Sequence, residues 1–124
     1  PKVYKNCTVE DLRDYLRTDQ PDLEMPMLEE RAAILQENGR ILCEHFDGSI
    51  LGFLELGRHS RSFSIPALLP LLTSTFPSFN DVTIYGGRPV VFHKRGQIFL
   101  ADCAVAAPTR SFTGLESLTM FADY

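Results

Sequence analysis

Tryptophan is absent from the 124 residues, and cysteine occurs only three times, at Cys7, Cys43 and Cys103. An odd, widely spaced set of cysteines is not a secreted disulfide framework, and it points to a reducing, cytoplasmic setting. There is no Cys-x-x-Cys pair, so the strong zinc signature is missing. Cys43 and His45 would share one strand face, with His93 and Cys103 to complete a site, but the spacing is poor and no metal is expected. The chain also lacks a basic excess. Twelve Lys and Arg against sixteen Asp and Glu give a net charge of −4, which disfavours a general nucleic-acid surface. No apolar run approaches the roughly 20 residues that span a bilayer, and no leader pattern opens the chain. Neither a phosphate loop, nor a G-x-G-x-x-G, nor a G-x-S-x-G, nor an HExxH motif is present. With no repeat and no Gly/Ser linker, residues 1–124 read as a single domain.

What is present is ordinary globular material, 44% hydrophobic and 23% charged, enough to bury a core at this length. Residues 2–7 read as a short first strand. Thr8 and Asp11 form a T-x-x-D capping signal before a helix bearing Val9, Leu12, Tyr15 and Leu16. Pro26 suits the first turn of a second helix, along which Leu28, Ala32 and Leu35 recur, and Asn38-Gly39 reads as its stop. Residues 41–46 and 50–56 read as a hairpin around Asp47-Gly48. Residues 58–64 read as an exposed loop or short strand, and 66–76 as an apolar helix interrupted by Pro70. A strand over 81–85 ends at Gly86-Gly87. Residues 90–93 fit either a strand or a short helix. Residues 97–105 read as a buried strand and 115–121 as a final one.

This order resembles the GNAT acetyltransferase superfamily. Three stretches carry the resemblance: KVYKNCTVEDLRDYL (residues 2–16), FDGSILGFLELG (46–57) and GGRPVVFHKRGQIF (86–99). It implies an α+β fold, with a central, mostly antiparallel mixed sheet and helices packed on it. It also implies acetyl-CoA as cofactor. The family's phosphate-holding loop falls on RSFSIPALL, where both glycines are replaced and Pro66 removes an N–H donor. A degenerate member is therefore expected, either an N-acetyltransferase or a non-catalytic descendant. Arg61, Ser64 and Ala67 would line the remnant cofactor loop. Glu55 would act as base and His93 as acid for amine acetylation. The plainer reading of Glu55 is a solvated strand face, and of His93 a half-exposed side chain beside Lys94 and Arg95. Arg58, Arg61, Lys94 and Arg95 are either a small anion site or solvated surface.

Two other classes remain open. An NTF2-like cone would enclose an apolar pocket lined by Tyr15, Phe53, Phe92 and Phe99. A protein-interaction module, such as an adaptor, an inhibitor or a virus-encoded accessory protein, would use the nine Phe and four Tyr as anchors for a protein partner. A monomer or a homodimer is expected, with no membrane partner.

Overall fold

Helices occupy most of the first fifty residues, for reasons that are partly local and partly tertiary. The computed structural model describes residues 1–20 and 23–119. The chain divides into two compact units, Pro1–Ile50 and Leu51–Tyr124.

The first unit holds α1 (Lys2–Lys5), α2 (Val9–Tyr15) and α3 (Leu28–His45). The Thr8 signal forms as expected. Its Oγ1 accepts from the Asp11 N–H at 3.1 Å, and Asp11 Oδ2 accepts from the Thr8 N–H at 2.8 Å, closing a capping box. Two expectations fail together. Residues 2–7 begin with a helix, not a strand, and Asn38-Gly39 does not stop α3, which runs on to His45. Gly39 is buried where α1 crosses. A Cβ there would stand 2.9 Å from Lys5 Cα and 2.9 Å from the Pro1 carbonyl oxygen. Glycine at this point serves close backbone approach, not chain termination. Cys7, Leu12, Leu28 and Ala32 form the core of this unit, with Val9, Leu16, Met25 and Leu35 packed against it. Full burial of each Leu side chain stabilises by roughly 1.5–3 kcal/mol.

The hairpin expected around Asp47-Gly48 is absent. The turn exists, with φ of 50° and 68°, but it links α3 to α4 (Ile50–Leu54). The Gly48 N–H bonds back to the Leu42 carbonyl at 2.8 Å. Phe53 and Leu54 are adjacent and both buried. A strand would send them to opposite faces, whereas a wide apolar helix stripe holds both.

The second unit continues through a 3-10 turn at Glu55–Gly57, then β1 (Arg58–His59), β2 (Ser62–Ser64) and α5 (Ile65–Thr75). It goes on with β3 (Val82–Tyr85), β4 (Arg88–Val91), α6 (Lys94–Ala106) and β5 (Ser111–Thr113), and a last 3-10 turn over Leu115–Ser117. The α+β class read from the sequence holds. Among the described residues the strands form two small sheets in place of one central sheet. In one, β2 pairs antiparallel with β1 and parallel with β5; in the other, β3 and β4 pair antiparallel. The short strands at 58–64, the Pro70-bearing helix and the strand before Gly86-Gly87 fall where expected, and residues 90–91 resolve as strand.

The strand expected over 97–105 is instead the body of α6. Gly96, Gln97 and Leu100 are buried, and this spacing is helical, not alternating. The expected final strand begins with the 3-10 turn at Leu115–Ser117; its residues 120 and 121 lie outside the described residues. Among the described residues, the largest fully buried side chains of this unit are Phe53, Phe76, Ile65, Leu68, Leu72 and Leu100. Phe53 meets Phe76 edge to face, with centroids 5.3 Å apart. Phe53 is thus core and does not line an open pocket, while Tyr15, also assigned to the NTF2-like pocket, is exposed. Among the described residues no helix is long and apolar enough to cross a membrane.

Candidate functional site

The start of α6 is braced by two polar side chains, Asp81 and Gln97. Its preceding residue, His93, has a φ of 49°, a left-handed conformation that costs a non-glycine residue energy. No side chain from the helix's own first turn caps it. Asp81, thirteen residues earlier, does so instead: its Oδ2 accepts the Lys94 backbone N–H at 2.9 Å, and its backbone carbonyl accepts the Phe92 N–H at 3.1 Å. The other carboxylate oxygen, Oδ1, is buried and has no hydrogen-bond partner among the described residues.

Gln97 braces the same point from inside the helix. It is only 7% exposed. Its Nε2 donates to the Phe92 carbonyl at 3.1 Å, and its Oε1 accepts the Thr119 N–H at 2.5 Å. Gly96 is buried beside it, and a Cβ there would meet Leu69 at 3.1 Å and Leu72 at 3.4 Å. The first turn of α6 therefore lies hard against α5.

The electrostatics of this start are unusual. α6 opens with Lys94 and Arg95 and carries no acidic residue in its first turn. Cations at a helix N-terminus oppose the helix dipole, at roughly 0.3–1 kcal/mol each. One turn before the helix end, burial, and secondarily the charge of Asp102, push the Cys103 thiol up. That sulfur stays protonated and is a poor nucleophile. Among the described residues no cluster of three or more His, Cys, Asp or Glu suits a metal ion.

The residues singled out in the sequence fall in three places. Glu55 lies on the 3-10 turn before β1, not on a sheet strand, and both its oxygens receive the Arg58 Nη1, at 2.9 and 3.2 Å. Both partners are about half exposed, so the pair is a surface ion pair of small worth. Arg61 is exposed in the β1–β2 turn; Ser64 ends β2 and makes no side-chain cap bond to α5, whose first turn carries the exposed Ala67. His93 alone sits at the braced α6 start. Asp81 and Gln97 were not singled out. Asp81 reads as a strand opener. A count of Gln97, Leu100, Ala101 and Ala104 at i, i+3, i+4 and i+7 is the signal that would have placed Gln97 on a buried helix face.

The first unit holds an apolar groove of about 550 Å³ whose walls include Val3, Tyr4, Leu12 and Tyr15. Among the described residues its lining is mainly apolar, with Cys7 and no carboxylate, imidazole or cationic side chain.

The sequence model of the queuosine salvage protein family matches residues 1–124. The chain belongs to that family. Its relatives include queuosine 5'-phosphate N-glycosylase/hydrolases from Bos taurus and Mus musculus. These are 40% and 36% identical over 124 residues, which is 98% of this chain and 35% of each relative. The Sphaerobacter thermophilus protein of the same name is 40% identical over 104 residues, covering 82% of this chain and 31% of that protein. The chain thus spans about a third of the length of the curated relatives it matches. Membership in the queuosine salvage family overturns the acetyltransferase resemblance. A degenerate acyltransferase, an interaction module and an NTF2-like binding domain are all replaced as readings of function. The roles given to Glu55, His93, Arg61, Ser64 and Ala67, and acetyl-CoA with them, lose the resemblance that implied them. That resemblance rested on an element order in which residues 41–46, 50–56 and 97–105 were strands, and all three stretches are largely helical.

Proposed function

We propose that this chain is part of an enzyme that hydrolyses the N-glycosidic bond of queuosine 5'-phosphate. The observation that carries the reading is the family match across all 124 residues, joined to 36–40% identity with N-glycosylase/hydrolases over nearly the whole chain. Such a hydrolysis adds water across the bond between the ribose C1' and the base nitrogen. Its products are the free base and ribose 5-phosphate. The transition state gathers positive charge on the sugar, and the departing base needs a proton. The substrate also carries a phosphate, which calls for cationic groups.

Within this chain we place the substrate contact at the α6 start. Lys94 and Arg95 bring two cations to the positive end of a helix, an arrangement that a bound anion would relieve. His93 is held in a strained conformation at the same point, and strain of this kind gathers at functional sites. The three free cysteines support a reducing, cytoplasmic setting.

The test uses the full-length protein that carries this chain. It is incubated with queuosine 5'-phosphate, and the products are separated by chromatography with mass detection. Release of the base with equimolar ribose 5-phosphate is expected. Recovery of intact substrate under conditions where the Bos taurus relative cleaves it would overturn the reading.

A further inference from the structure

We propose that Gln97 is a positioning residue. It clamps Thr119 and Phe92, the residue after β4, to the first turn of α6, and so fixes where His93 and Lys94 stand. The proposal rests on the reading above that the α6 start is the site.

The argument begins with satisfaction of a buried amide. A primary amide carries a carbonyl acceptor and an NH₂ donor, and burying either without a partner is costly. Gln97 is 7% exposed, yet both ends are used, and both partners are backbone groups of other segments. Phe92 precedes the strained His93; Thr119 comes 22 residues later in the chain. A hydrophobic residue of similar size would fill the same space but leave the Phe92 carbonyl and the Thr119 N–H without these bonds. An amide at this place is therefore a joint between three segments as well as a core filler. Asp81 makes the complementary joint, holding the Lys94 N–H from the opening of β3. Between the two braces lie His93 and Lys94, with their backbone held on either side. A residue in a sparsely populated conformation persists only where its surroundings over-determine it, and these two side chains supply that constraint.

The test compares full-length protein with its Gln97→Leu, Gln97→Glu and Thr119→Pro variants, each first shown to unfold cooperatively. Thr119→Pro deletes the donor to Gln97 and leaves the glutamine in place. The first measurement needs no substrate: hydrogen exchange at the Thr119 amide, slow in the wild type and about tenfold faster in Gln97→Leu. A Thr119 amide that exchanges equally fast in both would overturn the clamp.

The second measurement is kinetic, on queuosine 5'-phosphate. For folded Gln97→Leu, kcat falls by as much as about 100-fold, the cost of a small misplacement of reacting groups, with KM changed far less. Gln97→Glu regains activity on acidification, because a protonated carboxyl can again donate to the Phe92 carbonyl while accepting from Thr119. The wild type shows no such recovery. Gln97→Leu and Thr119→Pro combine non-additively, because they break the same joint. Wild-type kcat, KM and pH profile in folded Gln97→Leu would overturn the positioning role. If the wild type itself leaves queuosine 5'-phosphate intact, the functional reading falls, and the exchange measurement still decides the clamp.

Discussion

The starts of α2 and α6 solve one physical problem in opposite ways. Each helix must find acceptors for its first backbone N–H groups. At α2 the answer is local. Thr8 and Asp11 cap each other across one turn, and Glu10 and Asp11 place negative charge where the dipole favours it. At α6 the answer is tertiary. The cap is Asp81, thirteen residues away, the preceding residue is strained, and the first turn is cationic. A start of the first kind serves the helix alone. One of the second kind depends on the rest of its unit, because its own first turn is cationic and its negative charge comes from Asp81, which is why we place the functional reading there.

The comparison breaks most visibly at its two capping side chains. Asp81→Ala removes the carboxylate that accepts the part-buried Lys94 N–H, so it should cost about 2 kcal/mol, within the range for a hydrogen bond to a charged group. Thr8→Ala at an exposed cap should cost about 1 kcal/mol. Urea unfolding of the two variants checks the order. A larger loss for Thr8→Ala would mean that Asp81 is not the cap on which α6 depends.

The strain at His93 gives a smaller effect of opposite sign. His93→Gly relieves a left-handed residue, worth about 1–2 kcal/mol, and gives back about 0.5–1 kcal/mol through the looser unfolded chain. A net stabilisation of about 0.5 kcal/mol follows. The same variant should lose activity if the imidazole touches substrate. Thermal unfolding and product release on one preparation separate the two. A destabilised His93→Gly would show that the side chain holds the fold together more than its backbone strains it.

The same contrast explains what could be read from the sequence. α2 was legible because its cap lies within four residues. The strand before Gly86-Gly87 was legible because Val82, Thr83 and Ile84 favour strands on their own. α5 survived Pro70 because the apolar spacing is helical on both sides of it. The misreadings came where a local sign had a tertiary meaning. Gly39 looked like a helix stop and is the place where α1 touches α3. Asp47-Gly48 looked like a hairpin turn. It adopts the expected pair of positive φ values, as Gly86-Gly87 does at 56° and 75°, but one turn joins helices and the other joins strands. A turn signal says that the chain reverses, and the flanking residues say what is reversed. Around Asp47-Gly48 those flanks carry few β-branched residues and a buried Phe53-Leu54 pair. Of the candidate site, only His93 and its basic neighbours were legible. Helical spacing could place Gln97 on a buried face, but Asp81 and Gln97 reach their partners Lys94 and Thr119 across 13 and 22 residues, a range at which spacing does not name the partner.

The smallest expected effect sharpens the comparison from the α2 side. The Thr8 backbone N–H, and after it the Thr8 hydroxyl, hold the Asp11 carboxyl below the usual carboxylate range. A depressed value in the folded state means that the charged form is favoured by folding. The contribution is therefore present above the unfolded pKa, about 3.9, and is lost as pH falls through the lower folded value. Acidification below about pH 4 should accordingly fray the start of α2. The group is fully exposed, so solvent screens the effect and the change in overall stability is slight. The sensitive observable is the titration of the Asp11 carboxyl carbon by NMR. In the wild type it should titrate below an ordinary aspartate. In Thr8→Ala it should move only part of the way up, because the backbone donor, the larger of the two causes, remains. A full return to the ordinary value in Thr8→Ala would show that the hydroxyl, not the backbone N–H, closes the box. The α2 start would then depend on a single side chain, as the α6 start depends on Asp81.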